Sequence, residues 1–544
     1  MSDQAESFRP PVPGPVAASA ARAPTGLSGI LEARRAPALG AGSSRPCVSH
    51  GLMIGDVTDG RAVVWSRADR SARLVVEYAL SEDFRDATRL VGPYALEDSD
   101  FTARLDLAGL PAGREVFLRV RFQSLDRDRL ESAPVLGRLR TPGPLGRPVR
   151  FVWSGDTGGQ GFGIDLGFGG MKLYETMRRE QPDFFIHCGD TVYADGPMEP
   201  EVRDGAQRVI WRNAFLDLEP AKLKVAETLD EFRANYRYNL LDENLRRFNA
   251  EVPQIWLWDD HETVNNWSGS KDLSDDDRYT EKRVPLLVAR ATRAFLDYAP
   301  LRRAGNTVPE RLYRHIPYGD DLDVFTVDMR SYRGPNSYNR QEIPGPETDF
   351  LGPEQLAWLK RKLREARATW KVIAADMPLG LLIDDGYDCQ GRQRFEGLAN
   401  GDGPPLGREL ELADLLRYIK VNGIRNVVWL TADVHYCAAH YYHPDQAVFR
   451  DFTPFWEFVA GPAHAGTAGP NPLDNTFGPR VVFQKTQPEG LSNLPPSSGY
   501  QFYGLVEIDP YSKELSVSLK DLYGETLFRQ RLSAEDPVAP GGRS

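Results

Sequence analysis

The sequence predicts an α/β protein in which a small antiparallel β-sandwich precedes a larger layered domain. Three observations carry that expectation. From about His50 to Arg140 the chain is a series of short, alternating, strand-like runs divided by turn formers. Beyond the Pro- and Gly-rich TPGPLGRP (141–148), apolar runs of strand length alternate with amphipathic helical stretches, the signature of α/β organisation. Five of those apolar runs end on an acid: FVWSGD at Asp156, FFIHCGD at Asp190, QIWLWDD at Asp260, KVIAAD at Asp376 and VVWLTAD at Asp433. Ligands of open α/β sheets bind just beyond the carboxyl ends of the strands, so the five acids are expected at one edge.

The 544 residues exceed what one hydrophobic core usually supports, which favours two domains. Residues 1–45, rich in Ala, Pro, Gly, Ser and Arg, read as a disordered leader. The pair Arg34-Arg35 precedes only APALGAG, too short an apolar core for a twin-arginine export signal. Residues 46–140 form the sandwich, with RAVVWSRAD, ARLVVEYAL, FTARLDLAGL and REVFLRVRFQ as strands and DG, SED and PAG as turns. Residues 141–149 are the linker, 150–533 the α/β domain, and 534–544 a disordered tail.

Within the α/β domain, GPEQLAWLKRKLREARATW has Pro353 at a helix start and Leu356, Leu359 and Leu363 at helical spacing, and it runs directly into the strand WKVIAAD. AETLDEFRANYRYNLLDENLRRF and RVPLLVARATRAFLDY are further amphipathic helices, and the charged SKDLSDDDRYTEKR between them reads as a solvated loop. YQFYGLVEID, ELSVSLKDL and TLFRQRL are closing antiparallel strands.

Composition excludes several classes. A formal charge of −11 argues against a general nucleic-acid scaffold, whose affinity comes from clustered Lys and Arg. Cys47, Cys188, Cys389 and Cys437 form neither a CxxC pair nor a disulfide framework, so cysteine usage leaves the compartment open. No run approaches the ~20 apolar residues of a transmembrane helix.

The strand-end acids point to a metal site, because clustered carboxylates repel one another unless a multivalent cation neutralises them. Asp156 lies in SGDTGG, where Gly155, Gly158 and Gly159 allow close backbone approach to a ligand. Asp190 and Tyr193 in HCGDTVY are three apart, a spacing that sets a carboxylate and a phenol on one face of a helical turn. Asp433 and His435 in ADVH point to one side if the backbone is extended. WDDHETVNNW supplies Asp259, Asp260, His261, Glu262, Asn265 and Asn266; if a helix begins there, His261 and Asn265 face one cleft. A histidine beside carboxylates has its protonated form favoured, which suits a general acid. Arg330 in DVFTVDMRSYRG is a candidate grip for a substrate phosphate, with an Arg–Asp structural pair as the alternative. His187, inside an apolar strand, reads as a core histidine, and Cys188 and Cys437 as buried filler.

The ordered series GD-x-G, GD-x-x-Y, DDHE and D-x-H resembles the calcineurin-like metallophosphoesterases, in particular the PhoD-like alkaline phosphatase/phosphodiesterase family. WDDHETVNNW, SRADR and FWEFVAGPAHAGT are also phrases of such sequences, and the resemblance covers about His50 to Leu532. It implies a four-layer αββα metallophosphoesterase domain; the preceding TARLDLAGLPAGREVFLRVRF resembles the later strands of a fibronectin III-like sandwich. It further implies a first metal on Asp156, Asp190, Tyr193 and His435, with Asp190 bridging to a second on Asp260, Asp376 and Asp433. Asp376 is the weakest of these, since ADMPLG matches the superfamily only through its strand and proline. The wider superfamily usually has Asn, His and His where Asp260, Asp376 and Asp433 stand here, so the second site is oxygen-rich and suits Ca²⁺. The phenolic first site resembles that holding Fe³⁺ in purple acid phosphatases, and Zn²⁺ or Mn²⁺ are the other options. Many PhoD-type enzymes carry Ser-Cys-Gln where this chain has Ser154-Gly155-Asp156, which separates its first ligand from theirs.

The activity that the resemblance implies is that of a phosphoric ester hydrolase acting on phosphodiesters or phosphomonoesters through a hydroxide bridging two metals. His261 would be its general acid, Asn265 would bind the second metal or a phosphoryl oxygen, and Arg330 stays the candidate phosphate grip read from its own segment. Its substrate is a phosphate-ester small molecule or a phospholipid. The alternatives are a phospholipase D-like phosphodiesterase and a non-catalytic, Ca²⁺-binding adhesive protein. The resemblance implies a periplasmic or secreted protein, whereas the leader lacks a signal-peptide core, which leaves the cytoplasm open.

Overall fold

A computed structural model describes residues 45–126, 130–143, 146–303 and 310–535. The expected leader, apart from Arg45, and residues 536–544 of the expected tail lie outside them.

The five acid-ending runs are buried strands shared between two stacked sheets. The first sheet has nine strands in the order Thr526–Leu532, Leu515–Asp521, Phe502–Ile508, Val149–Ser154, Phe184–Cys188, Gln254–Leu257, Val48–Thr58, Arg61–Ala68 and Thr102–Ala108. Its middle three, which lead to Asp156, Asp190 and Asp260, are parallel. The second has seven, in the order Arg314–Tyr318, Leu322–Thr326, Trp370–Ala374, Val427–Thr431, Phe455–Val459, Cys437–Tyr442 and Pro479–Lys485. Here Trp370–Ala374 and Val427–Thr431, which lead to Asp376 and Asp433, run parallel side by side.

Period-2 alternation fixes which residues face which layer. Phe151, Trp153, Ile186, Ile255 and Leu257 of the first sheet share one core with Val324, Val372, Ala374, Val428, Leu430 and Phe458 of the second. The intervening Val152, Phe185 and Trp256 meet the helices Lys172–Arg179, Leu229–Asn239, Glu243–Glu251 and Val284–Tyr298. Helices Pro353–Glu365 and Glu409–Val421 cover the outer face of the second sheet, with Leu359, Leu363, Leu412 and Leu416 packed around Ile373 and Trp429. Strands buried on both faces read as continuous apolar runs, which is why these five stand out in the sequence. The layers are αββα.

The stretch AETLDEFRANYRYNLLDENLRRF is two helices, not one. Thr228 and Glu231 close a capping box on the first, and Asp242 starts the second by accepting the Leu245 N–H at 2.9 Å.

The N-terminal sandwich shares the nine-stranded sheet. Its own sheet, Thr88–Ala95, Ala72–Ala79, Glu115–Ser124 and Val135–Arg140, contributes Leu74, Val76, Leu118 and Val120 to the core that also holds Ile54, Val64 and Leu105. The facing strand Val48–Thr58 then pairs in parallel with Gln254–Leu257 at Gly55 and Gln254. A Cβ at Gly55 would overlap the Pro300 carbonyl oxygen, so only glycine allows this approach. Gly55→Ala is expected to cost about 1–3 kcal/mol, the usual penalty of overpacking, read as an earlier urea midpoint.

Candidate metal centre

The turns that end the strands are sharp. Asp156, Asp190, Asp433 and His435 all have left-handed backbone, with φ of 66°, 53°, 65° and 59°. Non-glycine residues adopt this region at a cost and concentrate there at functional sites. Both expected local geometries differ as a result. Asp190 and Tyr193 do not lie on a helical turn, and Asp433 and His435 are not on extended backbone.

One carboxylate belongs to two clusters. The ligand atoms of Asp156, Asp190 and His435 lie within 4.8 Å of one another, and so do those of Asp190, Asp260 and His261. In the first cluster, His435 Nε2 is 3.6 Å from Asp156 Oδ1 and 2.8 Å from the Tyr193 hydroxyl. Its Nδ1–H donates to the Gly466 carbonyl at 2.5 Å, which fixes the tautomer and turns the Nε2 lone pair toward the carboxylates. Tyr193 is seated against Gly159, where any Cβ would overlap its ring, and a Cβ at Gly461 would overlap Asp156 Oδ2. The glycines of SGDTGG make room for protein side chains, Tyr193 foremost.

In the second cluster, the His261 N–H donates to Asp190 Oδ1 at 3.1 Å, and His261 Nε2 lies 3.9 Å from Asp260 Oδ1. The imidazole stacks on Tyr193 with centroids 4.4 Å apart, and its Nδ1–H donates to Asp195 Oδ1 at 2.7 Å. No helix begins at WDDHETVNNW; the segment is a run of turns. The Asn265 and Asn266 N–H groups go to the Asp195 and Asp260 carboxylates instead of a helical ladder, and Asn266 turns left-handed. Glu262 accepts the Thr191 and Asp259 N–H groups at 2.6 and 2.8 Å and ties the segment to the neighbouring strand end. Asn265 is exposed at the rim, its N–H donating to Asp195 Oδ2 at 2.7 Å.

Arg330 does not face a substrate cleft. Its side chain is 0% exposed, donating from Nε to Asp259 Oδ1 at 2.6 Å and from Nη1 to Glu396, with Asp376 Oδ2 at 3.3 Å. The expected phosphate grip is instead the counter-charge of a buried acid network. A fully desolvated guanidinium needs carboxylate partners close by, and Arg330 has Asp259, Asp376 and Glu396. Asp376 lies in this network, and both it and Asp433 fall outside the two clusters of ligand atoms.

The electrostatics call for cations. Both carboxylate oxygens of Asp156 and of Asp376, and one each of Asp259 and Asp260, are buried without a hydrogen-bond partner. Native structures pair such atoms with ordered water or an ion, and acids crowded this closely favour a cation. Burial first, and then neighbouring acids against the opposing pull of His261, push Asp156 and Asp190 well above the usual carboxylate range. Burial and Glu396 do the same to Asp433. Burial also works against ionisation of Asp260, but His261, Arg330 and the Asn266 N–H outweigh it and hold that group low. Desolvation opposes the charged form of His261, yet Asp195, Asp260 and Asp190 raise it well above 6.5. Burial lowers His435 to about 4, so its imidazole is neutral and free to ligate. Carboxylate, phenol and neutral imidazole are the donors a di- or trivalent hard cation takes, so the residues fit such a group.

Asp195 was hidden in the sequence, although GDTVYAD sets a second acid two residues beyond Tyr193. Lys222 carried no sequence signal at all. It is buried, donates to the Tyr193 carbonyl at 2.9 Å and to Asn235 Oδ1 at 2.6 Å, and braces the Tyr193 loop. The SKDLSDDDRYTEKR loop is only partly solvated: Leu273 and Tyr279 are buried, and the Arg278 guanidinium reaches the Asp195 carbonyl at 3.5 Å. His187 is a core histidine bonded to Thr157 at 2.9 Å, and Cys188 and Cys437 are buried.

Known proteins resemble this chain in sequence and in fold. The profile described as PhoD-like phosphatase matches residues 151–519, and that described as PhoD-like phosphatase, N-terminal domain, matches residues 34–143. The alkaline phosphatase D of Bacillus subtilis (strain 168) is 29% identical over 290 residues, 51% of this chain and 45% of that protein. The match therefore spans a little under half of that relative. A solved structure of PhoD superposes with a TM-score of 0.64 at 20% identity, covering 93% of this chain and 95% of that one. The purple acid phosphatase PPD1 of yellow lupin gives 0.53 at 12% identity, covering 90% and 74%. At these identities the likeness of the structures concerns the fold.

Proposed function

The chain belongs to the PhoD-like phosphatase family, which matches it over more than half its length, and from that premise we propose that it is a metal-dependent phosphoric ester hydrolase. The observation that carries the proposal is the sharing of Asp190 between two clusters of buried ligand atoms. That arrangement suits a pair of cations over a phosphoryl group.

Asp156, Asp190, Tyr193 and His435 would hold the first cation, with Fe³⁺ favoured by the phenol. Asp190, Asp260, Asp376 and Asp433 would hold the second, with Ca²⁺ favoured by the oxygen donors. Asp376, beside Arg330, is the weakest member of that set. Once bound, the cations supply charge neutralisation at the phosphoryl oxygens and an activated water. The protein's own groups supply the rest. Asp195 takes the Nδ1–H of His261, fixing the ring and stabilising its protonated form. The opposite nitrogen, Nε2, delivers the proton to the departing alkoxide. His261 is the member of this arrangement with a substantially accessible side chain, 19% exposed, and Asn265 sits beside it at the rim to bind a phosphoryl or ester oxygen. A purely structural calcium site would have no use for an accessible histidine backed by a buried acid.

Phosphodiesters are favoured over monoesters by the family resemblance. Hydrolysis of bis-p-nitrophenyl phosphate, p-nitrophenyl phosphate and a phosphatidylcholine dispersion by metal-reconstituted protein ranks diester, monoester and phospholipid. Failure on all three overturns the hydrolase. For the metals, protein purified without chelators is expected to show a visible phenolate–ferric band that Tyr193→Phe abolishes. A colourless protein containing only zinc or manganese would replace iron at that position.

A further inference from the structure

We infer that Asp385, on a hairpin 119 residues beyond Asn266 in the chain, is a positioning residue for the second cation ligand, Asp260. The inference rests on the proposed two-cation reading of the centre. The hairpin pairs Asp384–Tyr387 with Gln393–Phe395 and lies beyond the strand that ends at Asp376.

The chain of contacts is short and fully specified. Asp260 Oδ2 is fixed by the backbone N–H of Asn266. Asn266 has a φ of 53°, a left-handed turn that a non-glycine residue holds only when its surroundings enforce it. The enforcing groups are Asp385 and Asn336. Asn266 Nδ2 donates to Asp385 Oδ1 at 3.0 Å, and Asn336 Nδ2 donates to Asp385 Oδ2 at 3.0 Å and to the Asn266 carbonyl at 3.1 Å. Asn336 is in turn held by Arg408, whose Nη2 donates to its Oδ1 at 2.9 Å, and by Ser268, which accepts its N–H at 2.9 Å. Both carboxylate oxygens of Asp385 are thus committed to the turn that aims Asp260.

A role confined to holding the hairpin together explains less. Arg394, the cross-strand cation, bonds the main-chain carbonyl of Asp385 at 3.1 Å, while its guanidinium stays 3.9 Å from the carboxylate. The base of the same hairpin carries Glu396, which accepts from Arg330, the partner of Asp259. One hairpin therefore braces two adjacent residues of the catalytic edge, Asp259 through Glu396 and Asp260 through Asp385. Groups that orient a metal ligand from behind typically change metal affinity or activity by ~10–100-fold when removed.

The test is titration of Ca²⁺ and Mn²⁺, by calorimetry, into chelator-stripped full-length protein and its variants. Asp385→Ala is expected to weaken one of two cation sites by ~10–100-fold and leave the other unchanged. Asp385→Asn, which keeps the volume but sets an amide against the amide of Asn266 or Asn336, is expected to fall between and serves if the alanine variant misfolds. Arg394→Ala loosens the hairpin yet leaves the carboxylate in place, so its affinities are expected to match the unmodified protein. Equal affinities in all four proteins overturn the role of Asp385 while sparing the centre. An unmodified protein that takes up fewer than two cations overturns both. A loss in Arg394→Ala as large as in Asp385→Ala assigns the effect to the hairpin as a whole and overturns the specific role of Asp385.

Discussion

Asp190→Ala is expected to empty both cation positions at once and to abolish hydrolysis, with a loss well beyond the ~100-fold upper end for groups that act on a metal from behind its ligands. Among the described residues, no other carboxylate is shared by the two clusters. Asp156→Ala should release one cation and leave the other. Metal analysis after extensive dialysis reads the difference directly, and a variant that retains either cation at full occupancy would remove the bridge from the centre. Stability should respond in opposite directions with and without metal. In chelator, Asp190→Ala removes one of several buried acids that repel one another, so the melting temperature should hold or rise. With metal present, the unmodified protein gains stability from binding and the variant does not, so their order reverses.

His261→Ala is expected to lower kcat by ~10²–10⁴-fold, the span of general acid catalysis, while both cations remain. The loss should be largest for esters with an alkyl alcohol leaving group and smallest for p-nitrophenyl esters, whose weakly basic phenolate departs with little help from a proton. Asp195→Asn should show the same leaving-group pattern more weakly, because it removes the charge that stabilises the protonated ring and sets an amide donor against one of the two N–H groups that Asp195 accepts, but leaves the imidazole. The second cluster contains His261, so a competing role as cation ligand is open to direct measurement. If His261→Ala loses one equivalent of metal and slows all leaving groups equally, His261 is a ligand and not the acid.

The architecture was legible in the chain because of its burial. Strands covered on both faces, such as Phe184–Cys188 with all five residues buried, must be apolar throughout, and the acid lies two or three residues past the end of each. The closing strands Phe502–Ile508, Leu515–Asp521 and Thr526–Leu532 fell where their alternation put them. Local geometry was less legible. Helical spacing at Asp190 and Tyr193 and extended spacing at Asp433 and His435 both assume regular backbone, whereas the chain turns through left-handed φ at Asp190, Asp433 and His435. A side chain's direction after such a turn depends on what braces the turn, and those braces come from elsewhere: Gly466 for His435, Glu262 for Thr191.

Arg330 shows the same limit. Nothing in DVFTVDMRSYRG distinguishes a guanidinium that greets a substrate from one sealed beneath the site, because the deciding neighbours, Asp259, Asp376 and Glu396, lie on other segments.

The sequence by itself determined that five buried strands deliver acids toward a sheet edge, and that a phenol and two imidazoles accompany them. It did so because burial and strand length are properties of a single segment. Only the tertiary structure decided that Asp190 serves two clusters, that Asp195 holds His261, that Arg330 neutralises acids out of reach of solvent, and that a distant hairpin braces Asn266. Those are relations between side chains tens to hundreds of residues apart. They are set by how two sheets stack and by which loops meet above their edge, and no local pattern of residues encodes that distance.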